Sequence, residues 1–227
     1  MDNHFEMGLD DLRQKLLAMA SHAETAVNQA LQALLQRDHD LALRVKENDR
    51  VIDQFEVEID EQVIQLLTKA PLATNLRLVT VAMKISQNLE RVGDEASKIA
   101  KRARDLSQEP PVKITLELPR LARMALDMLK SALDAFVNYD SAAARALIPR
   151  DKEVDALNKQ IHESLVQHMV ANPDTIGRCL NWIVAAKSLE RIADHAKNMA
   201  EDIVYLYEAE DIRHPGAKNQ GAQPAGA

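Results

Sequence analysis

Aromatic residues are nearly missing: one Trp, three Tyr and three Phe stand in 227 residues. Apolar content still reaches 46%, so the core must be built from Leu, Ile, Val, Met and Ala. Glycine is equally scarce, with Gly8, Gly93 and Gly177 the only three before Pro215. A chain poor in Gly and rich in Ala, Leu, Glu, Lys and Arg favours helix, because those side chains lose little rotamer freedom there. Over long windows that preference is informative. The single cysteine, Cys179, excludes an internal disulfide and a Cys-ligated zinc site, and is expected to be a small buried apolar residue. Positive charge is in deficit, 28 Lys and Arg against 35 Asp and Glu, for a net charge of −7. Such a chain repels nucleic-acid phosphates. No apolar run is long enough to span a bilayer and no secretory leader is visible, so the expected location is the cytoplasm without direct membrane insertion. A phosphate-cradling Gly loop and a Ser-nucleophile motif are also lacking, and no enzymatic activity is expected.

What the sequence does have is an internal repeat. Leu89-Glu90-Arg91-Val92-Gly93-Asp94 recurs 100 residues later as Leu189-Glu190-Arg191-Ile192-Ala193-Asp194. Ala96, Ala100 and Leu106 are matched by Ala196, Ala200 and Leu206. Upstream, Asp49, Asp53 and Pro71 are matched 102 residues on by Asp151, Asp155 and Pro173. A string of ordered matches points to duplication.

Each copy reads as three long helices. Leu9, Leu12, Leu16, Met19, Ala23, Ala26 and Ala30 form an apolar seam at heptad spacing on the first. Leu41, Val45, Ile52, Phe55 and Ile59 do so on the second, and Ile85, Leu89, Val92, Ala96, Ile99, Ala103 and Leu106 on the third. The fourth carries Leu118, Leu121, Ala125, Met128 and Ala132; the sixth carries Ala185, Leu189, Ile192, Ala196, Met199, Ile203 and Leu206. Breaks fall at Arg37-Asp38-His39-Asp40, with an Asp available as a cap, and at Pro71 and Pro173. Pro110 and Pro111 divide the copies, and Pro149 predicts a kink or late start in the fifth helix. Helices of about thirty residues would be roughly 45 Å long, and short connections make neighbours antiparallel. The expected fold is all-α: two tandem, similar three-helix bundles over 1–108 and 115–210, a Pro-containing linker over 109–114, and a disordered tail over 211–227.

The chemistry lies one step off each seam. On the second helix Asp49, Asp53, Glu56 and Asp60 make one acidic stripe; the fifth presents Asp151, Asp155, Asn158 and His162 at the same positions. The third and sixth helices add Glu90 with Asp94 and Glu190 with Asp194. Like charges four residues apart repel by about 0.2–0.5 kcal/mol on an isolated helix, and more when desolvated. A cation between them reverses the sign, and converging carboxylates suit Mg, Mn, Fe or Zn, with oxygen donors favouring the harder ions. Alternatively, Arg91, Lys98, Arg191 and Lys197 neutralise these acids without metal. Gly93, opposite Ala193, would admit a close neighbour, whether for the site or for ordinary tight packing.

Lys98, Lys101, Arg102 and Arg104 form a basic cluster that reads as charge complementing a helix C-terminus rather than as an anion site. His195, beside Asp194, reads as a surface histidine. His162 and His168, six apart, do not share a helix face. Trp182 reads as core.

These residues carry a family resemblance. Asn88-Leu89-Glu90-Arg91-Val92-Gly93-Asp94-Glu95-Ala96 and Ser188-Leu189-Glu190-Arg191-Ile192-Ala193-Asp194-His195-Ala196 are similar to the signature stretches of the PhoU family of phosphate uptake regulators, and the likeness extends over about residues 8–210. The resemblance implies a cytoplasmic negative regulator of phosphate uptake and phosphate-starvation signalling, coupling a phosphate ABC transporter ATPase to a sensor histidine kinase. It implies metal clusters on the acidic motifs, iron or zinc first and magnesium or manganese next, and a homodimer. The motif carries over to Glu90 and Asp94, Asp49 and Asp53, Glu190 and Asp194, and Asp151 and Asp155. Asn158 and His162, opposite Glu56 and Asp60, break the repetition, so the two sites are expected to differ in affinity or metal.

Two other readings compete. A ferritin-like di-metal carboxylate enzyme needs Glu-x-x-His on its helices, and no Glu stands three residues before any of the seven His; only Asp211 precedes His214 that way. A plain helical interaction module would leave the acids solvated and metal-free.

Overall fold

The computed structural model describes residues 3–68 and 73–213. Seven helices carry them: α1 (Asn3–Gln36), α2 (His39–Leu67), α3 (Ala73–Ser107), α4 (Leu118–Val137), α5 (Ser141–Leu147), α6 (Asp151–Ala171) and α7 (Ile176–Glu208). Among the described residues there is no strand. Helices α1–α3 pack on one another as one bundle, and α4–α7 as the other.

The seams became the core. Every seam residue of the first, third, fourth and sixth expected helices is buried; on α2 only Phe55 stays half-buried, its ring 5.6 Å from that of His22. Cys179 is fully buried, while Trp182 lies half-exposed against the core. Asp38 caps α2, its side chain accepting from the Leu41 N–H at 2.9 Å. That hydrogen bond satisfies one of the donors a helix start leaves unpaired.

The fifth helix differs from its counterpart in the first unit. It is divided into α5 and α6 by a 3-10 turn over Ile148–Arg150, because Pro149 has no N–H to give the helix ladder. Asp140 caps α5 through the Ala143 N–H at 2.8 Å. As a result α4 (20 residues) and α6 (21 residues) fall well short of the expected thirty, whereas α1, α3 and α7 span 34, 35 and 33. Pro173 opens a second 3-10 turn that leads into α7. Pro71 lies outside the described residues, as does the expected tail from residue 214 onward.

Helix α3 has α1 and α2 on one side and α7 on the other, so the central helices of the two units form the junction. They run antiparallel, as their polar contacts show. Lys84 Nζ meets Asp202 Oδ1 at 2.9 Å, Asn88 Oδ1 meets His195 Nδ1 at 3.0 Å, Glu95 Oε1 meets Arg191 at 3.4 Å, and Arg102 meets Asn181 at 3.1 Å. Glu95 is buried at 4% exposure and also takes Lys98 at 2.8 Å. Burial raises its carboxyl, but hydrogen bonds from Lys98 and Ser188 and the charges of Lys98 and Arg191 outweigh this and hold it below the usual carboxylate value. A carboxylate so placed is tolerated because it is paired on both sides.

Candidate functional site

In the first unit, α2 and α3 bring their acids to one shoulder. Gly93 lies at their contact: a Cβ there would lie 2.9 Å from Ile52 Cδ1 and 3.2 Å from Asp49 Oδ1. The helix can afford this residue because the missing side chain admits both the core contact and the acid beside it.

Asp49 is half-buried and accepts from Ser97 Oγ at 2.8 Å. Burial raises its carboxyl above the ordinary value, the Ser97 hydrogen bond opposes this, and the charges of Asp53 and Asp94 add to it. Glu56 is raised by burial and then by Asp60, with smaller pushes from Asp53 and Asp94 against the pull of Arg91. Glu90 is raised by burial and then by Asp94, again with Arg91 opposing and Glu56 and Asp53 contributing. Six carboxylates thus feel one another across two helices. Arg91, which is exposed, pairs with two of them, 3.3 Å from Glu90 and 3.5 Å from Asp94, and its charge also pulls on Glu56.

The second unit repeats the acids but answers them differently. Asp151, 5% exposed, takes Lys197 Nζ on Oδ2 at 2.7 Å. Lys197 also reaches Asp194 at 3.7 Å. Glu190, 6% exposed, has Lys187 Nζ 2.6 Å from Oε2, an ion pair whose direction leaves that oxygen without a hydrogen bond. Its carboxyl is raised by burial, pulled back by Lys187, and pushed again by Asp194 and Asp155. Asp155 and His162 are exposed, and Asp151 Oδ1 has no hydrogen-bond partner.

The helix-face assignments therefore hold, and the cations divide unexpectedly. Arg91 and Lys197 turn to the acids, whereas Lys98 and Arg191 turn to Glu95. Sequence reasoning passed over Glu95, Ser97 and Lys187. Lys187 stands three residues before Glu190, a helical ion-pair spacing that was available to find it; the roles of Glu95 and Ser97 depend on contacts with other helices. His195 is half-buried at the junction rather than on the surface, and burial lowers its imidazole below the ordinary value.

A cation would be stabilised by the first unit's all-oxygen set, which has raised carboxyls and, among the described residues, ion pairs to Arg91, and less by the second, where Lys187 and Lys197 pair directly with the acids. Among the described residues no three His, Cys, Asp or Glu side chains stand close enough together to hold a metal ion.

Comparison with known proteins gives a consistent answer. The family model described as the PhoU domain matches twice, over residues 16–103 and 118–203. The chain is 38% identical over 228 residues to a phosphate-specific transport system accessory protein PhoU homologue of Pseudomonas putida, covering 100% of this chain and 89% of the relative. It is 34% identical over 217 residues to the accessory protein PhoU of Escherichia coli, covering 95% and 90%. The crystal structure of PhoU from Pseudomonas aeruginosa superposes with a TM-score of 0.87 at 40% identity, covering 91% of this chain and 100% of that one. The phosphate transport system regulatory protein PhoU from Streptococcus pneumoniae superposes with a TM-score of 0.85 at 26% identity, covering 92% and 99%.

Proposed function

The chain belongs to the PhoU family, and on that premise we propose that it is a non-enzymatic regulator of phosphate transport. It acts in the cytoplasm as a negative regulator of phosphate uptake and starvation signalling, an adaptor between a phosphate ABC transporter's ATPase and a sensor histidine kinase. The observation that carries this reading is the match of both units to relatives named as accessory proteins of a phosphate-specific transport system. Among the described residues no helix is long and apolar enough to cross a membrane.

Metal binding belongs to the same proposal. Asp49, Asp53, Glu90 and Asp94 would hold a divalent or trivalent ion, supplying positive charge to a face that otherwise repels itself. Iron, magnesium or manganese suit an oxygen-only set better than zinc. Asp151, Asp155, Glu190 and Asp194 would take one only in competition with Lys187 and Lys197. Val57 and Ile64, 58% and 64% exposed on one face of α2, supply an apolar surface for a homodimer.

The test is genetic and biochemical. Removal of the gene should switch on a phosphate-starvation reporter at high phosphate, and the wild-type chain should silence it. Pull-down from detergent extracts at high phosphate should retain the transporter ATPase and the kinase. A reporter indifferent to the gene, together with no retained partner, sinks the reading.

A further inference from the structure

Lys98, Lys101 and Arg104 follow one another at three-residue spacing on α3. Across the groove, Lys46 reaches them from α2, and the four residues line one cavity of about 360 Å³, with the Lys98 ammonium also held by Glu95 at 2.8 Å. Ser97 also lines it, and Asp49 and Asp94 close its far end. Arg102, which belongs to the same run in sequence, turns out of the groove to Asn181 and Asp105.

The helix dipole does not account for this set. It favours Arg104 in the last turn of α3, but it fades within a turn, and Lys98, Lys101 and Lys46 lie deeper in α3 and α2. Neither Lys46 nor Lys101 forms an ion pair among the described residues. Nor is the set a by-product of duplication: the matching positions of the second unit are Ile148, Asn198, Glu201 and Val204.

We propose that this cavity binds a pyrophosphate-type anion, a compact molecule with adjacent phosphoryl groups. Its volume lies at the lower end of small-molecule sites, about 300–1,000 Å³, and exceeds what a single phosphate fills. The cations are spread along two turns of α3 with one opposite, which matches charge distributed over linked phosphoryl groups. Lysines bind phosphate as point charges and Arg104 adds planar donors. Asp49 and Asp94 repel a bare anion at the far end, so the ligand enters as its divalent-metal chelate. The regulator would thereby sense a phosphorylated metabolite directly, which goes beyond its role as an adaptor.

The test is calorimetric titration of the full-length chain with pyrophosphate, orthophosphate and sulfate, each in magnesium-containing buffer of one ionic strength. Pyrophosphate is expected to bind tightest, and Lys46→Gln and Lys101→Gln to weaken it about tenfold each. Both side chains are exposed, so both variants fold; Arg104→Gln probes the site independently, and Lys152→Gln, in the second unit, leaves affinity unchanged. A nucleoside diphosphate that binds more tightly than pyrophosphate would assign a nucleotide as the source, and equal affinity would assign the phosphoryl groups alone. Absence of binding, sulfate binding as tightly as pyrophosphate, or undiminished binding by the Lys46 and Lys101 variants overturns the proposal. The titration needs no partner protein, so its failure and that of the regulatory reading are separable.

Discussion

Lys197 Nζ donates to Asp151 Oδ2 across 2.7 Å, a buried carboxylate met by a cation of its own unit. The repeat places Ser97 where Lys197 stands and Asp49 where Asp151 stands, and Ser97 Oγ donates to Asp49 Oδ2 at 2.8 Å. One geometry is kept while a neutral donor replaces a charged one. An ammonium at that spot supplies the positive charge that a metal ion would otherwise bring.

Exchanging these donors should exchange the metal preference of the units. Ser97→Lys should abolish metal binding by the first cluster, and Lys197→Ser should create binding at the second. Elemental analysis and manganese titration of each variant measure this. Unchanged metal content in both variants would separate the donors from the metal.

At the junction, Glu95→Gln keeps the shape and removes the charge that Lys98 and Arg191 share. The loss should be about 2 kcal/mol of stability, since it breaks a buried, hydrogen-bonded pair, and thermal unfolding should fall by roughly 5 °C. An unaltered melting temperature would show that the apolar seams alone hold the units together.

Gly93→Ala should change stability by less than about 1 kcal/mol, because the gain in helix propensity offsets the movement of the flexible Ile52 Cδ1. Gly93→Leu should cost about 3 kcal/mol by overpacking and should impair metal binding as Asp49 is displaced. Chemical denaturation of both variants checks the ranking. A Leu variant as stable as Ala would mean that α2 can move away freely.

Acidification should stabilise the first unit. Asp49, Glu56 and Glu90 are raised above their ordinary 3.8, 4.5 and 4.5 by burial and by the charges of Asp53, Asp60 and Asp94, with Arg91 and Ser97 opposing. A carboxyl raised on folding adds stability below its unfolded value, and that contribution is lost as pH rises through the raised value. Relative to an Asp49→Asn, Glu56→Gln, Glu90→Gln variant, the wild type should gain melting temperature as pH falls from neutral toward the ordinary values of 3.8 and 4.5. Metal at pH 7 should give the wild type a similar gain. Parallel curves for the two proteins would rule out strain in the cluster.

Much of the fold was legible in the sequence because helical periodicity is a local property. The spacing of Leu89, Val92, Ala96 and Ile99 says which side of α3 faces the core, and Glu90 and Asp94 then have to flank it. The same rule placed Asp49 and Asp53 on α2. Pro149 announced the break in the fifth helix, since a missing N–H is written in the residue itself. The shortness of α4 and α6 was less visible, because turn positions such as Tyr139, at φ 60, carry no signal of the conformation the surrounding packing imposes.

By itself, then, the sequence determined the helices, their apolar faces, the duplication and the acids beside each seam. Only the tertiary structure decided which charges meet. The pairing of α3 with α7 gave Lys98 and Arg191 to Glu95, and the packing of α2 on α3 brought Lys46 to Lys101 and Asp49 to Ser97. Side-chain direction along one helix follows from residue spacing, but contacts between helices depend on how distant apolar surfaces dock. That docking sets the rotation and depth of each helix, and with them which carboxylates receive a lysine and which are left to share one arginine.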